Sequence, residues 1–247
     1  MSRLASWLFV WLFALSLNLA QVASAAEGIL PGSPVEVSAD VAIYNKYIWR
    51  GLTLDDDPVM QQGVYASMKG FTVSIWGSFD IDSDSDPNSD EVDYSIDYTR
   101  QFDNFSLSLG HTYYDFPAQD AASYEFYIGG TLDIPLSPSL TWYHDYADED
   151  SGGGNGDYVI LALAKSFHLT DIADTPISLD LSGHYGYNHE LFVDDEGSDI
   201  GLGVGLTIPL TEKITLNPNI NYSLPFGDTE DLYNYEFVGG FNLAFDF

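Results

Sequence analysis

The sequence predicts an all-β protein, a transmembrane antiparallel up-and-down β-barrel of 12 strands. Three observations predict this fold. Apolar and polar residues alternate through most of the 247-residue chain, which is the period-two pattern of strands with one apolar face. Short turns alternate with longer acidic loops, as in outer-membrane barrels. The last segment carries Tyr235, Phe237, Phe241 and Phe245 on one face and reaches Phe247, so a strand with one face in lipid is expected there.

The first 25 residues have the pattern of a cleaved signal peptide. Arg3 is followed by a mostly apolar stretch, 4–19, and Ala23-Ser24-Ala25 provides small residues at a cleavage site. A membrane anchor is the alternative, but no positive stop-transfer cluster follows. We therefore assign 1–25 to the signal peptide, 26–34 to a periplasmic N-terminal segment and 35–247 to an outer-membrane β-barrel. The absence of Cys excludes disulfides and a lipoprotein anchor.

Each barrel strand is justified by its own alternation. In the first predicted strand, Val35, Val37 and Val41 share one face. The clearest alternation is in the strand 200–208, where Leu202 and Val204 alternate with glycines. The segment 158–167 is apolar on both faces, so its outward side stays unassigned. The predicted strands are 35–49, 60–68, 71–81, 92–99, 105–110, 124–132, 140–146, 158–167, 177–188, 200–208, 214–222 and 235–247.

The connections between these strands are of two alternating kinds. The short ones are 69–70, 103–104, 133–138, 168–176 and 211–213. The longer, acidic ones lie around 55–57 and at 82–90, 115–122, 147–156, 189–197 and 225–231. A secreted sandwich or jelly roll is the alternative fold, but its strands are typically about five or six residues long, shorter than most of these. Aromatic residues near strand ends predict interfacial girdles; they are Tyr47, Trp49, Tyr98, Phe102, Tyr113, Tyr146, Tyr185, Tyr187 and Tyr222.

The charge indicates what the interior attracts. The formal net charge is −31, which excludes nucleic acid as a partner, whereas 45% hydrophobic and 15% aromatic residues exclude a disordered acidic chain. An acidic lumen concentrates cations and repels anions. Lys46 and Arg50 are expected inward, either paired with acids or forming a charged constriction, and these two roles are compatible. The predicted lumen and selectivity residues are Glu36, Asp40, Lys46, Arg50, Asp93, Asp97, Glu125, Asp180 and Glu236.

One acidic loop has a spacing similar to that of calcium loops. Ser85 replaces the usual glycine and strands flank the loop, so a solvated acidic loop is the alternative. The candidate metal ligands are Asp80, Asp82, Asp84, Asp86 and Glu91. We therefore expect no cofactor other than Ca²⁺ on acidic extracellular loops.

The sequence does not predict an enzyme. None of the five His is followed by Ser two residues later, and Asp145 should face away from its neighbour His144. Hydrolytic barrels would need a His and a Ser two residues apart on one strand face, or an Asp and a His that face each other.

The segment that begins at Tyr44 and continues through Trp49-Arg50-Gly51 resembles the TorF-type family of outer-membrane porins, a conserved proteobacterial family. Members of this family carry an aromatic-Arg-Gly signature, matched here by Trp49-Arg50-Gly51. They also carry a Gln-Gly pair on the next strand and a final Phe, matched here by Gln62-Gly63 and Phe247. The resemblance implies a Gram-negative outer-membrane protein whose Phe245 and Phe247 act as the signal for the barrel assembly machinery.

Together these patterns predict a porin or channel for transport of small solutes by passive diffusion, with an acidic lumen that favours cations and neutral or cationic solutes. The alternative is a non-conducting surface barrel whose acidic loops bind a partner or divalent cations. The expected partners are the lipid bilayer with its outer-leaflet lipid, the assembly machinery and small solutes.

Overall fold

The computed structural model describes residues 35–81, 90–148, 152–172, 175–193, 196–229 and 234–247. The predicted signal peptide and the segment 26–34 lie outside the described residues. Within the described ranges, no helix has the length and apolar character needed to cross a membrane. The strands are β1 (Glu36–Tyr44), β2 (Tyr47–Trp49), β3 (Leu52–Asp55), β4 (Val59–Met68), β5 (Phe71–Asp80), β6 (Glu91–Gln101), β7 (Phe105–Phe116), β8 (Ala121–Leu132), β9 (Ser139–Asp145), β10 (Asp157–Ile172), β11 (Thr175–His189), β12 (Glu196–Pro209), β13 (Ile214–Gly227) and β14 (Glu236–Asp246).

Twelve of these strands close into one antiparallel barrel, which confirms the predicted fold class. Each strand from β4 to β14 pairs with the next along the chain, and β1 pairs with both β4 and β14. In the closing pair, Ser38 lies opposite Asp246 and Tyr44 lies opposite Gly240. The aromatic terminal strand therefore completes the hydrogen-bond ladder, so that none of the twelve described barrel strands has an unpaired edge.

The barrel has two different ends. The short-turn end carries the ends of β4, β6, β8, β10 and β12, together with the start of β1 and the end of β14. The long-loop end carries the ends of β1, β5, β7, β9, β11 and β13. One predicted long loop, 115–122, is wrong. Ala121 and Ala122 continue the ladder opposite Phe116 and Asp115, and only 117–120 connect the two strands.

The outer face is apolar, and β10 shows how its two faces divide. Leu161 and Leu163 point outward and are 50% and 43% exposed, whereas Tyr158, Ile160 and Ala162 point inward and are buried. Tyr158 and Ile160 can be apolar although they face the lumen, because they pack against other buried residues inside the barrel and not against water. Near the long-loop end, a belt of outward tyrosines continues from strand to strand, formed by Tyr94, Tyr113, Tyr124 and Tyr146.

The predicted first strand, 35–49, is wrong beyond Tyr44. After β1 ends, β2 and β3 pair only with each other, and their turn has positive φ angles at Arg50 (52°) and Gly51 (80°), as in a tight hairpin. Tyr47 and Trp49 are 3% and 6% exposed, so they are not girdle residues. A segment that is apolar on both faces must be covered on both faces, and this one is covered by folding into the barrel. We call Tyr47–Asp55 the lumenal hairpin.

Candidate functional site

Arg50 anchors the tip of the lumenal hairpin to the barrel wall. Its two terminal nitrogens donate to both carboxylate oxygens of Glu125 on β8, at 2.6 and 2.8 Å, and both side chains are 2% exposed. The Tyr114 hydroxyl donates to the same carboxylate at 3.0 Å. Such a bidentate, charge-assisted pair is among the stronger hydrogen-bond arrangements in proteins. The hairpin therefore has a defined docking position.

Aromatic rings complete the surroundings of Arg50. The guanidinium carbon lies 4.2 Å from the centroid of the Trp49 ring, 4.3 Å from that of Tyr143 and 4.7 Å from that of Tyr158. These are cation–π distances. Burial lowers the pKa of Arg50, but the adjacent Glu125 carboxylate raises it further, so the net shift is upward and the guanidinium stays charged.

Lys46 precedes the lumenal hairpin and links the residues that flank it to the wall. Its ammonium group donates to Glu236 on β14 at 2.7 Å and to Asp56 at 2.5 Å. Both cations that the sequence placed on an inward strand face lie instead in the chain that follows β1. Each is paired with acids, which is one of the two roles expected for them.

A third contact lies where Gly51 approaches β12. A Cβ at Gly51 would come within 2.8 Å of the Asp199 Cβ. Asp199 is 1% exposed, accepts a hydrogen bond from the Tyr158 hydroxyl at 2.7 Å, and lies 2.6 Å from His184 Nε2. Sequence analysis missed this cluster. The only local signal is the Arg50-Gly51 turn, because its partners come from distant strands.

The remaining predicted lumen residues lie on the inner wall. Asp40 accepts a hydrogen bond from the Asn242 amide at 2.9 Å, and Asp180 accepts one from the Thr207 hydroxyl at 2.7 Å. Glu36, Asp40, Asp97 and Asp180 lie toward the short-turn end or near mid-barrel, whereas Asp93, Glu125 and Glu236 lie toward the long-loop end. Among the described residues, Lys46 and Arg50 are the only Lys or Arg side chains directed into the lumen. The structure therefore gathers the predicted acids inside one barrel but divides them between its two halves.

The lumenal hairpin leaves space beside it. A small pocket that is partly open to solvent lies between the hairpin and the wall formed by β11–β14. Tyr44, Lys46, Gln61, His184 and Asn221 are among its lining residues. The long-loop half is therefore packed on one side of the hairpin and partly open on the other.

Two of the five candidate calcium ligands, Asp80 and Glu91, lie among the described residues. Asp80 groups with Asp55 and Asp57, whose ligand atoms all lie within 4.8 Å of one another. Glu91 is 3% exposed and faces the lumen. Asp82, Asp84 and Asp86 lie outside the described residues, so Ca²⁺ on the acidic loops stays a prediction.

A closed barrel with an apolar exterior and polar side chains on its inner wall defines the class of the protein: it has the fold of outer-membrane β-barrels. More particularly, the chain belongs to a bacterial protein family of unknown function, Gcw_chp, whose model matches residues 29–216. That description assigns no activity, and the name of the TorF-type family stays a prediction. No curated protein matches the chain.

Solved structures similar to this chain include two porins. The NanC porin has a TM-score of 0.57 at 11% identity, covering 84% of this chain and 98% of its own. The KdgM porin has a TM-score of 0.52 at 11% identity, covering 85% and 99%. A bacterial polysaccharide outer membrane secretin has a TM-score of 0.53 at 11% identity, covering 86% and 98%. At these identities the likeness shows the fold alone.

Proposed function

We propose that the protein is a non-enzymatic outer-membrane channel of a Gram-negative bacterium. It would allow passive diffusion of small solutes and favour cations over anions. The observation that carries this proposal is a closed barrel whose inner wall presents many carboxylates, whereas Lys46 and Arg50 are the only lumenal Lys or Arg side chains in the described ranges. The fold shared with the NanC and KdgM porins supports it.

The charge distribution supports a preference for cations. Asp40, Asp97 and Asp180 lie away from the two lumenal cations, and the hydrogen bonds to Asp40 and Asp180 come from neutral groups. Carboxylates inside low-dielectric walls raise the local concentration of cations and exclude anions. Solute size would be limited by the hairpin and the space beside it.

A second candidate is a non-conducting barrel. The buried lumenal hairpin favours it, because Trp49 and Arg50 are 6% and 2% exposed and close one side of the lumen. If the protein is a channel, solutes pass beside the docked hairpin, or they pass through the lumen after the hairpin has moved. Conductance separates these two functions.

The test is planar-bilayer recording of the refolded full chain in KCl. We expect discrete conductance steps and, under a salt gradient, a reversal potential of the sign that indicates K⁺ over Cl⁻. The Asp97→Asn and Asp180→Asn variants should reduce this preference, whereas Glu212→Gln, in an exposed short turn, should not. A correctly folded protein without conductance steps or solute uptake into liposomes would instead support the non-conducting barrel. Anion preference would overturn the charge argument.

A further inference from the structure

Two carboxyl groups lie side by side beneath the lumenal hairpin. Glu91 and Asp93 are two residues apart on β6, so both point into the barrel, whereas the following Tyr94 points outward and is 45% exposed. Glu91 is 3% exposed and Asp93 is 8% exposed. Their side chains are within hydrogen-bonding reach of each other, and the Tyr47 hydroxyl of the hairpin reaches Glu91. The hairpin therefore covers a buried pair of acids.

This pair has oxygen atoms without partners. Within the described ranges, Glu91 Oε2 and Asp93 Oδ1 are buried and accept no hydrogen bond. All buried side-chain polar atoms without partners in these ranges are oxygens, and most are carboxylate or amide acceptors. A buried acceptor without a donor is costly, and a buried carboxylate is more costly still. These free carboxylate oxygens therefore favour an electropositive ligand.

The nearby arginine does not neutralise this pair. Both terminal nitrogens of Arg50 are bound to the two oxygens of Glu125, so this ion pair is complete. Glu125 itself acts on Asp93 as a further negative charge. With their carboxyl groups ionised, Glu91 and Asp93 carry two negative charges in a buried site, and no Lys or Arg of the described residues pairs with them. Neutralising them requires two positive charges.

We propose that Glu91 and Asp93 bind one divalent cation under the lumenal hairpin. Hard oxygen ligands suit Ca²⁺ or Mg²⁺, which complete their coordination with water and neutral oxygens. The ligand set is separate from Asp55, Asp57 and Asp80 at the rim. Because Tyr47 contacts Glu91 and packs against Trp76 with ring centroids 5.8 Å apart, the bound cation stabilises the docked hairpin. The site does not depend on whether the barrel conducts.

The first test is binding of Tb³⁺ and Ca²⁺ to the full chain, refolded in detergent with EDTA and then exchanged into metal-free buffer. Excitation of tryptophan should produce sensitised Tb³⁺ emission that Ca²⁺ displaces, because Trp76 lies opposite Asp93 on the neighbouring strand. The double variant Glu91→Gln/Asp93→Asn should weaken Ca²⁺ binding in calorimetry by at least about 10–100-fold, because even the loss of a partner outside the first coordination sphere has an effect of this size.

Two control variants locate the site. Asp97→Asn changes an inward carboxylate on the same strand, and Asp55→Asn/Asp57→Asn changes the rim cluster. Both should retain the lumenal binding event. Equal Ca²⁺ affinity in the Glu91→Gln/Asp93→Asn variant and the wild-type protein would overturn the proposal, as would loss of binding only in the rim variant.

A second measurement distinguishes loss of Ca²⁺ binding from poor folding of the variant. Thermal unfolding of the wild-type barrel should shift to higher temperature with Ca²⁺, because a ligand that binds only the folded state stabilises it. The double variant should fold without Ca²⁺ and show no shift, since it no longer buries the two charges. If a shared proton alone neutralises the pair, the wild-type protein will show neither binding nor a shift, and the proposal fails.

Discussion

Replacing Arg50 with methionine tests whether the lumenal hairpin is a gate. The change keeps an apolar side chain against Trp49, Tyr143 and Tyr158 but removes the charge that pairs with Glu125. Glu125 is 2% exposed and would keep only the Tyr114 hydroxyl as a hydrogen-bond donor among the partners described above. An unpaired buried carboxylate is unfavourable, so the docked hairpin should lose stability relative to the undocked hairpin.

The size of this loss follows from the contacts. Breaking a buried ion pair costs about 3–5 kcal/mol, and the remaining tyrosine hydrogen bond places this one near the lower limit. About 3 kcal/mol corresponds to a shift of roughly 150-fold in the ratio of docked to undocked hairpins. The loss falls on docking and not on the barrel, because β2 and β3 pair only with each other.

The assay combines single-channel recording with hydrogen exchange of residues 47–55. Arg50→Met should increase the open probability and accelerate amide exchange in the hairpin, whereas exchange in β10 and β11 should not change. Arg100→Met is the matched control, because this arginine lies on the outer face, 5.3 Å from the Phe102 ring. If the folded Arg50→Met protein keeps wild-type gating and wild-type exchange of the hairpin, Arg50 does not hold the hairpin closed.

Three further predictions concern other contacts. Gly51→Ala should destabilise the docked hairpin by about 1 kcal/mol or more, because φ is 80° and the added Cβ meets Asp199. Amide hydrogen exchange of residues 47–55 should become faster, and unchanged exchange would contradict the reasoning. Lys46→Met should have a smaller effect than Arg50→Met, since Glu236 is partly exposed and water can replace the ammonium; equal effects in the same recordings would refute this ranking. Deletion of Phe247 should reduce the amount of folded barrel in the outer membrane, measured by heat-dependent gel mobility. The control is Leu210→Ala, which changes another exposed apolar residue at the short-turn end and should leave that amount unchanged. Equal amounts of folded barrel for the deletion and the wild type would contradict an assembly role.

The barrel wall could be predicted from the sequence because lipid imposes one simple requirement. Leu202 and Val204 face outward with glycines between them, and this contrast can be read without knowing the inside of the barrel. The same reasoning fails where the inside is also apolar. On β10, the inward Ile160 and the outward Leu161 belong to the same chemical class, so alternation carries no information there.

The lumenal hairpin could not be predicted for two physical reasons. Tyr47 and Trp49 continue the alternation of β1, so the pattern alone gives no reason to end the strand at Tyr44. The interaction that fixes the hairpin joins Arg50 to Glu125, 75 residues further along the chain. The resemblance carried by Arg50-Gly51 marked the position, but only the barrel geometry provides the buried partner.

The two halves of the lumen have different physical properties. Toward the long-loop end, Tyr44, Trp49, Tyr158 and Leu191 belong to one buried apolar cluster, which is a packed core and not a wet wall. In the rest of the lumen, Asp97 and Asp180 line a polar interior. Opening and ion selection should therefore be separable in a channel of this kind.

This separation can be measured in one set of recordings. Changing Gly51 to alanine should alter open probability with little change in reversal potential, because it destabilises the docked hairpin without changing any charge. Changing Asp97 and Asp180 should alter the reversal potential with little change in open probability, because neither residue belongs to the packed cluster around the hairpin. If either group of variants changed both quantities equally, the two halves would act as one unit, and the division of roles proposed for them would be wrong.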